Sequence, residues 1–82
     1  MPKKQSSGER NVIGHRIREA RLKHKPIVSQ EDLAARLATH GVYFDRSAIS
    51  RMEQQGRFIR DYEIIAIAEV LKIPVAWFFE SH

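Results

Sequence analysis

Four side chains on one predicted helix have the hydrogen-bonding chemistry that suits the edges of nucleic-acid bases. Arg46, Ser47, Ser50 and Arg51 lie in the segment RSAISRMEQ, where Arg46 precedes Ser50, and Ser47 precedes Arg51, at i, i+4 spacing. Residues at that spacing share a helix face. A guanidinium presents a planar fork of N–H donors to O6 and N7 of guanine, and a serine hydroxyl bonds several bases. These four residues are therefore predicted to contact bases.

Outward arginines and serines, taken alone, most often form only a solvated helix surface. Their place in the chain favours another interpretation. They lie near the end of Ser29–Gln54, a stretch that reads as two short helices joined by a turn. A helix-turn-helix places its second helix in the major groove of DNA. The stretch is therefore predicted to bind double-stranded DNA, with the rest of the chain as its support.

The start of the first helix in this stretch offers a second kind of contact. A helix amino terminus carries free N–H groups and a partial positive charge, which together attract a phosphate. The side-chain amide of Gln30 adds a donor beside Ser29. We assign phosphate contacts to Ser29, Gln30 and Arg57; the alternative for Gln30 is a helix-capping role alone. Phosphate contacts fix the register of a protein on DNA without reading its sequence.

Amphipathic helices are predicted within the stretch Ser29–Gln54 and on both sides of it. The first spans about residues 11–24, the second runs from Ser29 to about His40, and no segment shows a strand pattern. The residues suited to cap or end the helices are Asn11 and Pro26, then Ser29, Asp32 and Gly41, then Asp45 and Gly56, then Asp61, and finally Pro74. The fold class is therefore all-α.

Helical spacing also predicts which side chains are buried. The inward positions are Ile13, Ile17, Ala20, Leu33, Ala34, Leu37, Phe44, Ile49, Met52, Ile64, Ile67, Ala68 and Leu71, whereas Glu63, Glu69 and Lys72 are predicted to face outward. The chain ends on an apolar segment that Pro74 opens. Trp77 is expected in the core, and Phe78 or Phe79 is expected to be exposed enough to contact a second subunit.

Length and charge limit the class of protein. The 82 residues suffice for one small domain, over residues 10–82, preceded by a flexible polar arm over residues 1–9. The net charge is +4, and the first half of the chain is the basic one, with nine basic and four acidic residues in 1–41 (+5) against five and six in 42–82 (−1). This asymmetry favours a polyanionic partner, with solubility as the alternative explanation.

Several other functions find no support in the sequence. There is no cysteine, and His15, His24, His40 and His82 show no metal-binding spacing, so neither a metal nor a cofactor is expected. No nucleophile–base pair, paired acids or phosphate-binding loop is present, so we expect no enzyme. No signal peptide or run of about 20 apolar residues is found, so we expect a cytoplasmic protein without a membrane partner.

The segments IGHRIREARLK, SQEDLAARL, RSAISRMEQ and DYEIIAIAEVLKIPVAWFF resemble the Cro and lambda-repressor-like (XRE-type) helix-turn-helix family over about residues 12–79. The resemblance implies a five-helix lambda-repressor-like DNA-binding domain. The link ATHGVYFD is longer than the usual turn of that family, which indicates an extended-turn variant. Gln55 stands where the family usually has glycine.

The resemblance also implies individual roles. Arg46, Ser47 and Arg51 match base-contacting positions, with Ser50 beside them, and Gln30 matches a phosphate contact. Arg21 and Glu53 match a partly buried ion pair between the first and third helices, and Trp77 matches an aromatic residue that closes the core.

Two functions from different classes follow. The first is a sequence-specific transcriptional regulator, a repressor that binds a palindromic operator as a homodimer. A dimer is expected because one short helix reads only about three to five base pairs. The alternative is a protein-interaction module, of antitoxin or adaptor type, that uses the apolar segment 74–79 to bind another protein.

Overall fold

A computed structural model describes residues 9–80, and within that range the chain is entirely helical. Four α-helices follow one another as α1 (Gly14–Lys23), α2 (Gln30–Ala38), α3 (Arg46–Glu53) and α4 (Asp61–Leu71), and a short 3-10 helix spans Val75–Phe79. The all-α prediction is confirmed, but the predicted count of five is not matched by α-helices, because the last helix is a single 3-10 segment. The predicted arm over residues 1–9 lies outside the described residues, except for residue 9.

Helix α1 begins later than its pattern predicts, at Gly14 rather than near residue 11. Asn11 stands upstream of the helix, and its Oδ1 accepts the N–H groups of Ile13 (3.1 Å) and Gly14 (2.7 Å). Its amide donates to the carbonyl oxygens of Met52 (3.2 Å) and Arg57 (2.7 Å). Asn11 therefore satisfies the first N–H groups from outside the helix and joins this end of α1 to the end of α3.

The caps predicted for α2 and α3 are confirmed. Ser29 Oγ accepts the N–H of Asp32 at 2.9 Å, and the Asp32 carboxylate accepts the N–H of Ser29 at 3.4 Å, which completes the capping box. Asp45 Oδ1 accepts the N–H of Ala48 at 2.7 Å at the start of α3. After α2 ends at Ala38, Gly41 reverses the chain with φ +76°.

Three predictions about α3 and α4 are wrong. Arg60, not Asp61, occupies the N-cap position of α4, and Glu63 is buried instead of facing outward. Glu63 turns inward because its Oε1 accepts the N–H of Arg60 at 2.8 Å and because Arg57 and Arg60 neutralise its charge, each at 3.5 Å. At the end of α3 the left-handed conformation falls on Gln55 (φ +64°) and not on Gly56.

The core is formed by the inward sides of all four α-helices and by the 3-10 helix. Helix α1 packs on α3 and α4, and α2 packs on the same two helices. Burying each large apolar side chain contributes about 1.5–3 kcal/mol. The most deeply buried residues are Ile13, Ile17, Val28, Leu33, Leu37, Ile49, Met52, Ile67 and Phe78. Phe44, predicted to fill the space between α2 and α3, is 9% exposed and belongs to this core.

Arg16 attaches the end of the chain to α1. Its guanidinium lies 3.6 Å from the ring centroid of Trp77 and donates to the Trp77 carbonyl oxygen from Nη2 (2.7 Å) and Nε (3.2 Å). Trp77 is half-buried and packs on the core, as predicted.

On α1, hydrogen bonds from Lys23 and Arg16 hold the pKa of Glu19 below its ordinary value of 4.5.

Within residues 9–80, the helices are all too short or too polar to cross a lipid bilayer.

Candidate nucleic-acid interface

Helix α3 has a buried side and a solvent side, and the two divide its residues cleanly. Ala48, Ile49, Met52 and Glu53 are buried. On the other side, Arg46, Ser47 and Arg51 are exposed and Ser50 is half-buried, the division that helical spacing predicts. The four residues predicted to contact bases are therefore all on the accessible side of one helix of eight residues, which is about 12 Å long.

Three of these four residues line one open groove. The groove runs between the start of α2 and the start of α3, and its walls are formed by Gln30, Asp45, Arg46, Ser47 and Ser50. The fold thus brings a predicted phosphate contact, Gln30, together with predicted base contacts from the other helix. Arg51 is exposed on the next turn of α3 and lies outside the groove. Ser29, which precedes α2, and Arg57, which follows α3, also lie outside it.

Gln30 is held in place by a buried ion pair behind the groove. Its Nε2 donates to Glu53 Oε1 at 3.0 Å. The same carboxylate accepts two hydrogen bonds from Arg21, Nε to Oε2 at 2.8 Å and Nη2 to Oε1 at 2.9 Å. Arg21 also donates from Nη1 to the carbonyl oxygen of Val28 at 3.0 Å. An amide has two donors and one acceptor, so Gln30 keeps one N–H and its carbonyl oxygen for a ligand in the groove.

The Arg21–Glu53 pair implied by the family resemblance is therefore present, and both side chains are more than nine-tenths buried. A bidentate arginine–carboxylate pair with additional hydrogen bonds has the geometry that offsets the cost of burying two charges. It joins α1 to α3 and, through Gln30, to the start of α2. The pair thereby fixes the relative position of the two helix ends that line the groove.

Acidic and basic side chains lie on different sides of the first turn of α2. Glu31 and Asp32 are both exposed in its first turn, 100° and 200° around the helix from Gln30. Their carboxylates would repel a phosphate on that side. Gln30 instead faces α3, where Arg46 lines the groove and Arg51 follows one turn later. The groove itself carries charges of both signs, because the Asp45 carboxylate that caps α3 lines it together with Arg46.

Ser50 on α3 and Ser29 at the start of α2 each accept one hydrogen bond within the protein and can still donate another. Ser50 Oγ accepts the side-chain amide of Gln54 at 3.1 Å, and Ser29 Oγ accepts the N–H of Asp32. Each hydroxyl still has its own proton to donate. Ser50 can therefore donate to a base acceptor in the groove, and Ser29 can donate to a phosphate while it caps α2.

Arg57 makes its contacts within the protein. Its guanidinium lies 4.6 Å from the ring centroid of Phe44, donates to the Phe58 carbonyl oxygen at 2.9 Å and pairs with Glu63 at 3.5 Å. About a quarter of the side chain is exposed. These contacts hold the segment after α3 against the core, a role that its place in the sequence alone did not indicate.

The apolar chain end differs from the prediction at one residue. Phe79 is 53% exposed, as a subunit contact would require, but Phe78 is 2% exposed and packs edge-on to Trp77. Phe78 was therefore wrongly predicted as a dimer contact, because the 3-10 helix turns its ring into the core. The prediction also missed other exposed apolar side chains. Those at least half exposed are Val12, Ile27, Tyr43, Phe58, Tyr62 and Ile65.

The described residues hold no cluster of histidine, aspartate or glutamate that could bind a metal ion. Comparison of the chain with protein-family models, with curated proteins and with solved structures gave no match.

Proposed function

We propose that this protein is a sequence-specific regulator of transcription that binds double-stranded DNA in the cytoplasm. In this proposal α2, the segment 39–45 and α3 act as a helix-turn-helix of the lambda-repressor-like (XRE) type with an extended turn. The observation that carries the proposal is the groove in which Gln30, at the start of α2, faces Arg46 and Ser47, at the start of α3.

The mechanism assigns a different task to each helix. The start of α2 binds a backbone phosphate through the N–H groups of its first turn and the free N–H of Gln30, which sets the depth and register of the protein. Helix α3 then enters the major groove of the DNA. Arg46 and Arg51 each present two donors to a guanine, and Ser47 and Ser50 add weaker selectivity.

A single α3 helix contacts too few base pairs to define a unique site. We therefore propose that two copies bind an inverted repeat, with half-site centres about one helical turn apart. A dimer bound to such an operator blocks access of polymerase or of a neighbouring activator, so the protein acts as a repressor.

Selection from a random double-stranded oligonucleotide pool tests this proposal. The purified chain should enrich an inverted repeat at physiological salt, and its affinity should fall steeply as salt increases because phosphate binding releases counterions. Failure of the folded protein to enrich any sequence would refute the proposal.

A protein-interaction module is the second candidate, and the exposed aromatic residues support it. Phe58 is 70% and Phe79 is 53% exposed, and apolar side chains of this size at the surface favour a partner protein. Binding of a protein that is insensitive to salt, together with no affinity for DNA, would favour this function over the first.

A further inference from the structure

We propose that a hollow beside the start of α1 binds a small carboxylate whose apolar part is about the size of a phenyl ring. The walls of this hollow come from three parts of the chain: the segment 10–13 before α1, Ile59 and Ile64 on either side of the start of α4, and Phe79 in the 3-10 helix. The hollow shares no residue with the groove described above. Binding of such a ligand therefore goes beyond the proposed function and does not depend on it.

The walls of the hollow are mostly apolar. Five of its lining residues have aliphatic or aromatic side chains, namely Val12, Ile13, Ile59, Ile64 and Phe79. Val12 is 50% and Phe79 is 53% exposed, so both present apolar surface to water. Removal of apolar surface from water is favourable in proportion to its area. A ligand with an apolar group is therefore favoured over one that is polar throughout.

The volume of the hollow sets the size of that apolar group. The hollow measures about 180 Å³. An apolar cavity of about 150 Å³ in another protein holds one benzene molecule, whereas sites for drug-sized ligands measure roughly 300–1,000 Å³. One phenyl ring, or an alkyl group of similar size, therefore fills the hollow, and a nucleotide or a folded peptide is too large for it.

Arg10 gives the hollow a positive charge. It is exposed, and its guanidinium lies 5.5 Å from the ring centroid of Phe58. A guanidinium that stacks on an aromatic face keeps the N–H donors at its edge, where they match the two oxygens of a carboxylate. The ion pairs formed within residues 9–80 do not include Arg10. The carboxylates that neighbour the lining residues in the chain, those of Glu9 and Glu80, line no part of the hollow.

Asn11, the other polar residue of the hollow, has its side-chain amide engaged within the protein. Its Oδ1 accepts two backbone N–H groups at the start of α1, at 3.1 and 2.7 Å. Its Nδ2 donates to the carbonyl oxygens of Met52 (3.2 Å) and Arg57 (2.7 Å), which uses both N–H groups of the amide. The donors that remain for a ligand are therefore those of Arg10, and a negatively charged group suits them best.

Hydrogen bonds to the residue that follows α3 and its C-cap hold the entrance of this segment in place. The backbone N–H of Arg10 donates to the carbonyl oxygen of Gln55 at 2.7 Å. The side-chain amide of Gln55 donates in return to the carbonyl oxygen of Asn11 at 3.1 Å. The backbone that carries Arg10 is therefore fixed before a ligand arrives. A preformed site loses less conformational entropy on binding, which favours affinity even for a small ligand.

Titration of the full chain with phenylacetate, followed in heteronuclear NMR correlation spectra, tests this inference. Phenylacetamide supplies the same ring without the charge, and acetate supplies the charge without the ring. Arg10→Gln removes the guanidinium, and Val12→Glu places a negative charge in the hollow. Arg18→Gln is the matched control, because Arg18 is an exposed arginine on α1 that lines no part of the hollow. Circular dichroism establishes that each variant is folded, and the three ligands decide the question on wild type alone if a variant is not.

We expect phenylacetate to shift the amide signals of Val12, Ile64 and Phe79 to saturation, with a dissociation constant of about 1 mM or lower in wild type and Arg18→Gln. Arg10→Gln, Val12→Glu and the two comparison ligands should each weaken binding by about threefold or more. Absence of saturable shifts in wild type, or equal affinity for phenylacetamide, would overturn the inference, as would unchanged affinity of Arg10→Gln. Shifts of the same signals on dilution of the protein alone would show that a second copy covers the hollow, which would also overturn it.

Discussion

The guanidinium of Arg21 and the carboxylate of Glu53 form two parallel hydrogen bonds, of 2.8 and 2.9 Å, in the interior of the protein. The pair joins α1 to the end of α3, and Gln30 donates to the same carboxylate from the start of α2. Three helices therefore meet at one buried charge pair. Because the groove lies directly in front of it, changes to the pair should affect both the stability of the fold and DNA binding.

Removal of one partner from this pair should be strongly destabilising. Arg21→Ala leaves the Glu53 carboxylate buried without its counter-charge, which should lower the free energy of unfolding by about 3–5 kcal/mol. Chemical denaturation followed by circular dichroism measures the change. The control is the double variant Arg21→Met, Glu53→Leu, which removes both charges and should be much more stable than Arg21→Ala. Equal losses in the two proteins would mean that packing, rather than a stranded charge, determines the effect.

Substitution of Gln30 should weaken DNA binding without altering base preference. Gln30→Ala removes the N–H that the proposed mechanism directs at a phosphate, so affinity should fall by a similar factor for operator and random duplexes. The dependence of binding on salt should stay the same, because Gln30 carries no charge. Binding is measured by fluorescence anisotropy at several salt concentrations. A change in the selected sequence would instead assign Gln30 to base recognition.

Arg51 should determine specificity at one position of the half-site. Arg51→Ala should cost about 1–3 kcal/mol of binding free energy on the best operator and relax the preference for guanine there. Repeating the oligonucleotide selection with the variant measures both effects. Arg18→Ala is the matched control, because it removes the same charge from an exposed arginine on α1 that lines no part of the groove. Equal losses for Arg51→Ala on specific and random DNA would reduce its role to phosphate contact.

Lys72 offers a simple route to a more stable protein. It ends α4 in the left-handed conformation, with φ +60°, and its side chain is exposed. Because glycine adopts this conformation without steric cost, Lys72→Gly should raise the free energy of unfolding by about 1 kcal/mol. Lys72→Ala keeps the Cβ atom and should show no such gain. A gain of the same size in the alanine variant would attribute the effect to charge.

Gly14 should tolerate no side chain. A Cβ atom there would collide with the backbone carbonyl oxygen of Met52, because the start of α1 lies directly against the end of α3. Gly14→Ala should therefore destabilise the protein by several kcal/mol, with a lower midpoint of thermal unfolding. Gly56→Ala is the matched control, since a Cβ at Gly56 meets only Arg51 O at 3.6 Å. Similar midpoints for the two variants would show that α1 can move away from α3.

Capping residues and helical periodicity, both visible in the sequence, correctly predicted the features that depend on residues close together in the chain. The Ser29–Asp32 capping box, the Asp45 cap and the inward positions Ile49 and Met52 depend on neighbours within one helical turn, and each is present in the fold. The solvent side of α3 followed from the same periodicity, which explains why three predicted base contacts lie together in one groove.

The differences from the prediction arise from one set of distant contacts, one local ion pair and the geometry of the last helix. Asn11 binds backbone groups more than 40 positions away, and those contacts move the start of α1 to Gly14. Glu63 is buried because Arg57 comes close enough to neutralise it. Phe78 turns inward because the last helix is a 3-10 helix, whose periodicity differs from that of an α-helix. The Asn11 contacts join distant segments, whereas Glu63 pairs with Arg57 and Arg60, six and three positions away, and helical periodicity alone gives no weight to either pairing.

The division of α3 into an anchored side and a free side has a consequence for how such a protein can diversify. Ala48, Ile49, Met52 and Glu53 hold the helix in the fold, whereas Arg46, Ser47 and Arg51 contact nothing that the fold requires. Substitution of these exposed residues changes the surface that α3 presents to a ligand, while the buried residues keep α3 packed in the same position. Under the proposed function, a few nucleotide changes in the gene could therefore redirect the protein to a new operator without a loss of stability, and the scaffold could be reused in engineered regulators.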